Sequence, residues 1–165
     1  MLELAATEAT VVLCCASPEA VDAAMALSDV VRVAPDEAMV LGPSGTAETL
    51  IATTTERIEA LDDDAVVLDA TDGWTICTLE GDAARNAFTY LSALELPQDG
   101  FVQGDVAHVH AKVVVRGDRL HVLVPAMWGA HLRERIVSDC APLGVHERAD
   151  AEPWVVARRP RRKRT

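Results

Sequence analysis

The chain has 165 residues, 50% of them hydrophobic and 25% charged. A globular chain of this length buries roughly 70% of its unfolded surface and needs no disulfide or metal staple. No apolar run approaches the ~20 residues of a transmembrane helix, and the opening MLELAATEAT carries acid and no base, which argues against a secretory signal and for a cytoplasmic protein. The net charge of −11 hides an asymmetry: 6 of the 15 basic residues lie in the final RRPRRKRT, leaving 9 basic against 26 acidic groups, a balance of −17, on residues 1–157. A body that acidic repels nucleic acid.

Thr10–Cys15 (TVVLCC) reads as a short apolar strand. Ser17-Pro18 then starts a helix, serine as N-cap and proline at the first helical position, with Val21, Ala24 and Met25 as its buried stripe. Val30–Val33 and Glu37–Leu41 flank the turn Pro35-Asp36 as a hairpin, and Gly42-Pro43-Ser44-Gly45 ends it. A helix from Thr46 carries Ala47, Leu50, Ile51, Ile58 and Leu61 on one side, Asp62-Asp63-Asp64 breaks it as a solvated terminus, and Ala65–Leu68 is a fourth strand. The order to this point is βαββαβ.

The second half repeats it. After Asp72-Gly73, strand Trp74–Leu79 is apolar on both faces, and helix Ala83–Leu91 follows with Asp82 placed as N-cap. Ala84, Ala87, Phe88 and Leu91 have the i, i+3, i+4, i+7 spacing of a buried stripe, so Trp74 and Phe88 are expected to be core residues. A loop over Glu95–Gly104 leads to strand Val106–Val115, the turn Gly117-Asp118, strand Leu120–Val124 and a helix from about Met127 to Cys140. The last strand is either Leu143–Glu147 or Trp154–Val156. Asp36–Pro43 (DEAMVLGP) matches Asp118–Pro125 (DRLHVLVP) at a constant offset of 82, the mark of an internal repeat. These readings predict an α+β chain of two ferredoxin-like βαββαβ lobes, about 9–70 and 73–157, each an antiparallel sheet backed by helices, with a disordered basic tail over 158–165.

Chemistry is sparse. Cys14, Cys15, Cys77 and Cys140 have no CxxC spacing and read as buried free thiols. His108 and His110 share one face of a predicted strand, with His121 on its neighbour; a half-exposed strand face explains them, and a metal site is the alternative. No glycine fingerprint for a nucleotide or flavin and no GxSxG occurs. The chain is therefore expected to hold no catalytic residue, cofactor or metal of its own. The loop Gly100-Phe101-Val102-Gln103-Gly104 is the unusual one, either a buried plug or a contact for a ligand or partner. Phe101, Gln103 and Trp128, the last just after Pro125, are the candidate partner contacts, aromatics being common interface anchors.

Two stretches resemble the gamma subunit of heterotetrameric sarcosine oxidase. Pro35–Gly45 (PDEAMVLGPSG) is similar to that family's Pro-Asp-Glu, apolar strand and Gly-Pro segment. Val66–Phe88 (VVLDATDGWTICTLEGDAARNAF) is similar to its strand, Asp-x-Trp, strand and Gly-x-x-Ala-Arg helix segment; AHVHAKVVV and LHVLVPAMWGAHL resemble the hairpin and helix that follow. The resemblance implies the folate-binding aminomethyltransferase-like fold and a non-catalytic gamma-type subunit in a complex that oxidatively demethylates sarcosine to glycine. It implies alpha, beta and delta partner subunits, with FAD, FMN, NAD and tetrahydrofolate held in the partners. A stand-alone folate-dependent one-carbon protein and a metabolite-binding regulatory module of paired lobes are the alternatives.

Overall fold

The computed structural model describes residues 1–157, so the tail read over 158–165 lies outside the described residues. The described residues divide into two units, one of Ala9–Thr71 with Trp154–Ala157, the other of Met1–Glu8 with Asp72–Pro153. Strand β1 (Leu2–Cys15) gives its residues 9–15 to the first and 2–8 to the second.

In the first unit, α1 (Pro18–Ala24), β2 (Val30–Ala34), β3 (Glu37–Pro43), α2 (Ala47–Ile58) and β4 (Val66–Asp69) follow β1. Its antiparallel strands are ordered β2-β3-β1-β4. The Ser17 side chain caps α1 by accepting from the Ala20 N–H, with Pro18 at the first turn as the sequence predicts. Ala20, Val21 and Ala24 of α1 pack with Cys14 and Ala38 of the sheet, small side chains that bring helix and sheet close, and with Ile58 of α2. Asp62 is more than a solvated helix end: its Oδ2 accepts from the Ser17 N–H at 2.6 Å and its Oδ1 from the Asp64 N–H at 3.0 Å. Leu61, read into the α2 stripe, is exposed, because the helix ends at Ile58 and the chain turns outward.

In the second unit, β5 (Trp74–Glu80), α3 (Ala84–Leu91), β6 (Asp99–Val106), β7 (Val109–Arg116), β8 (Arg119–Pro125), α4 (Gly129–Asp139), β9 (Val145–Glu147) and β10 (Glu152–Pro153) are laid out in chain order. The strands run β6-β7-β8-β5-β1, antiparallel throughout, and β9 and β10 pair in parallel with the far edge of β1. Helices α3 and α4 cover one face, burying Phe88, Leu91, Leu132 and Ile136 against Leu79, Val113, Leu120 and Val122.

The repeat seen in the sequence is also a repeat of elements. β2 and β7 end 82 residues apart, β3 and β8 begin and end 82 residues apart, and α2 and α4 start 82 residues apart. Two elements depart from it. A βαββαβ unit would pair β9 with β5, but Leu2–Glu8 lie between them. Those residues read as non-strand because alanine and glutamate have poor strand propensity; pairing on both edges overrides it. The segment read as a loop over 95–104 contains most of β6, which pairs with β7 over eight residues. Its glycines, which suggest a loop, instead take positive φ within the strand, 128° at Gly100 and 154° at Gly104.

Trp74 is half-buried, not core: it opens β5 at the sheet end, and Lys112 Nζ lies 4.8 Å from its ring centroid, a cation–π contact. The N-cap of α3 is Ala83, not Asp82, and makes no side-chain cap bond. Of the two alternatives for the last strand, Leu143–Glu147 contains β9, while residues 154–156 form no strand and follow the two-residue β10; Trp154 is nevertheless buried. Gly129, the first residue of α4, meets the sheet directly: a Cβ there would lie 2.8 Å from both Cγ2 and Oγ1 of Thr75. Gly129→Ala is expected to lower the unfolding free energy by about 1–3 kcal/mol, read as a shift in urea midpoint. Thr75→Ala in the same chain should recover part of the loss, and strict additivity of the two changes would refute the close contact.

Candidate functional site

Phe101 and Gln103 stand on the same face of β6, two residues apart, both half-buried. Register aligns Phe101 with Val114, His121, Thr78 and Ala5 across β7, β8, β5 and β1. Gln103 aligns in the same way with Lys112, Leu123, Ile76 and Thr7. Trp128 belongs to a different place. It sits in a single 3-10 turn after Pro125, four residues beyond the row of Phe101, or roughly 13 Å along the strands and roughly 10 Å across them. Met127 beside it is 81% exposed and Trp128 itself 43%, with its ring edge-on to His131 at 5.7 Å between centroids.

The three histidines of the metal alternative are separated. His108 lies in the β6–β7 turn with φ +66°, so it does not share a strand face with His110, which is exposed on β7. His121 is buried on β8. Among the described residues no group of three or more His, Cys, Asp or Glu side chains comes together as metal ligands. Of the cysteines, Cys14, Cys77 and Cys140 are buried and Cys15, the last residue of β1, is exposed.

What register does assemble is a polar chain on the sheet face turned away from α3 and α4. His121 Nδ1 lies 2.7 Å from Thr78 Oγ1, Thr78 Oγ1 lies 2.6 Å from Thr7 Oγ1, and Thr7 donates to Glu152 Oε1 at 3.3 Å. Arg148 donates to Glu152 at 3.0 Å, and Arg119 donates to Glu80 at 2.6 Å beside it. The carboxylate orders every proton in the row. Thr7 gives its single hydroxyl proton to Glu152, so it accepts from Thr78. Thr78 has then used its own proton and accepts from His121, which is neutral and protonated at Nδ1. Burial, with Arg116 and Arg119 adding to it, pushes the His121 pKa down to about 3. Such an imidazole is far from the range of a general base at neutral pH. Its hydrogen bonds link β8, β5, β1 and β10.

A second feature lies at the outer edge of β1, where pairing lapses between Leu4 with β9 and Thr7 with β10. A cavity of about 300 Å³ opens there, with Ala6, Cys77, Arg133 and Glu147 in its wall. Arg133 Nη2 is 2.5 Å from Glu147 Oε2, so its charge is already matched. The Cys77 thiol is pushed up to about 11 by burial, which Arg133 opposes only weakly. It is thus a packed thiol rather than a nucleophile. In the sequence His121 stood out only as a possible metal ligand and Cys77 only as a thiol, and nothing joined them to the other polar residues. Their one signal was a threonine or histidine interrupting an apolar strand face, at Thr7, Thr78 and His121.

No protein-family model matches the chain, and no curated protein matches it. Solved structures do. A chain of the heterotetrameric sarcosine oxidase from Corynebacterium sp. U-96 superposes with a TM-score of 0.72 at 16% identity, covering 90% of this chain and 88% of that one. The glycine cleavage system aminomethyltransferase T from Bartonella henselae superposes with a TM-score of 0.64 at 13% identity, covering 88% of this chain and 47% of that one. This chain thus spans about half the length of the aminomethyltransferase. No helix among the described residues is long and apolar enough to cross a membrane. At these identities the likeness is one of fold, and the chain shares its fold with a chain of sarcosine oxidase and with part of an aminomethyltransferase.

Proposed function

We propose that the chain is a non-catalytic, gamma-type subunit of a flavin-dependent heterotetrameric complex that oxidatively demethylates sarcosine to glycine. The observation that carries this reading is the extent of the fold match. It takes in 90% of this chain and 88% of the sarcosine oxidase chain, whereas the aminomethyltransferase match leaves about half of that protein without a counterpart. In this reading the two units are ferredoxin-like lobes, the partners are alpha-, beta- and delta-type subunits, and FAD, FMN, NAD and tetrahydrofolate are bound by those partners. The apolar ridge at Met127 and Trp128 supports it, since aromatic side chains exposed beside apolar neighbours serve as interface anchors. Phe101 and Gln103 on β6 form a separate candidate contact.

The test is affinity purification of the tagged chain from its own cells. The expected result is stoichiometric recovery with flavin-containing proteins and sarcosine-dependent formation of glycine by the purified assembly. Trp128→Ala should weaken the assembly more than tenfold, about 1.4 kcal/mol or more, without lowering the chain's own thermal midpoint. A complex that assembles and turns over sarcosine equally well without the chain would end the reading. The alternative, a stand-alone folate-dependent one-carbon protein, draws on the aminomethyltransferase likeness; binding of tetrahydrofolate by the isolated chain would favour it instead.

A further inference from the structure

A cavity of about 220 Å³ is lined by residues of the unit of Ala9–Thr71 and Trp154–Ala157 alone. Its walls include Leu27 after α1, Val40 and Leu41 on β3, Leu50 and Thr54 on α2, and Val156. Among the described residues no charged side chain lines it. The inner end carries one unusual group. Thr54 is fully buried on the inner face of α2, and its Oγ1 makes no hydrogen bond among the described residues. A buried hydroxyl without a partner destabilises the fold unless something in the cavity bonds to it.

The outer wall is built differently from the rest. Val156 is 40% exposed and lies on a segment outside any helix or strand. That segment is tied down by Asp29, whose Oδ2 accepts from Trp154 Nε1 at 2.9 Å and from the Ala157 N–H at 3.2 Å. The Asp29 carbonyl also accepts from the Leu41 N–H at 2.9 Å, so the same residue holds β3, the loop of Leu27 and the segment of Val156 around one opening. Asp29 does this in a left-handed conformation, φ +53°, that non-glycine residues adopt infrequently.

We propose that this cavity is a binding site for a small, uncharged, mainly apolar molecule with one hydrogen-bonding group, whose polar atom pairs with the Thr54 hydroxyl. The size is adequate: apolar protein cavities of about 150 Å³ take up benzene. The lining sets the ligand's character. Apolar walls favour an apolar body, the unpartnered Thr54 hydroxyl favours one polar substituent, and walls without charge among the described residues offer an ionised ligand no counter-charge. The lining residues all belong to this chain, so the test needs no partner and its outcome is separate from that of the subunit reading.

The test is an NMR titration of the labelled full chain with two probes of similar size, toluene and benzyl alcohol. Both should give saturable shifts centred on Leu27, Val40, Leu50, Thr54 and Val156. Thr54→Val keeps the shape and removes the hydroxyl; it should weaken benzyl alcohol by about fivefold, the range of one neutral hydrogen bond, and leave toluene unchanged. Val156→Trp, at a partly exposed position, fills the opening and should weaken both probes, and it keeps the test decisive if the Thr54 variant does not fold. Absence of saturable shifts up to the solubility of either probe overturns the proposal. So does equal weakening of both probes by Thr54→Val, or unchanged binding in Val156→Trp.

Discussion

Phe88→Ala should lower the unfolding free energy by about 3–5 kcal/mol, enough to leave a domain of ordinary stability marginal at room temperature. Phe88 is 1% exposed and heads the largest fully buried side chains. It lies on α3 at the centre of the cluster that joins α3 and α4 to the sheet of the second unit. Truncation removes the transfer free energy of the ring and leaves a cavity that Leu79, Leu120 and Leu132 cannot close without moving the sheet or α4. The measurement is urea unfolding followed by circular dichroism. Phe88→Leu, which keeps most of the volume, should lose much less, and a loss below about 1 kcal/mol for Phe88→Ala would contradict the packing.

The second large effect is acid sensitivity centred on His121. Its pKa falls from 6.5 to about 3 in the folded chain, chiefly through burial and further through Arg116 and Arg119. Between those values the unfolded chain binds a proton that the folded chain refuses, so stability rises with pH across this window. The contribution is complete above pH 6.5 and is lost progressively as pH falls towards 3. From pH 7 to pH 5 the loss from this one group is about 2 kcal/mol, at 1.36 kcal/mol per unit below the unfolded value. His121→Asn can still donate to Thr78 but does not titrate. Its urea midpoint should therefore fall less than that of the wild type between pH 7 and pH 5. Parallel pH profiles for the two proteins would show that His121 titrates in the fold as it does in the unfolded chain, and its burial as a neutral imidazole would be wrong with it.

Register explains why that row escaped a reading of the sequence. Thr7, Thr78 and His121 stand 71 and 43 residues apart and meet only because β1, β5 and β8 pair as they do. The same holds for Thr54, which looks like one polar position among several in TTTER until α2 turns it inward. Phe101, Gln103 and Trp128 were legible as unusual residues. Their distribution over two regions of one sheet was not, because the distance between them depends on strand order.

The chain's own pattern determined the hairpins around Pro35-Asp36 and Gly117-Asp118, the four helices and the 82-residue repeat. Turn residues, Ser-Pro at a helix start and apolar periodicity act over a few residues and need no distant partner. Tertiary structure decided the rest. Leu2–Glu8 is a strand because β5 pairs with one of its edges and β9 and β10 with the two ends of the other, and Asp99–Gly104 is a strand because β7 accepts two glycines at positive φ. In both cases hydrogen bonds to strands distant in sequence outweigh weak local propensity, and neither preference is written in the segment itself.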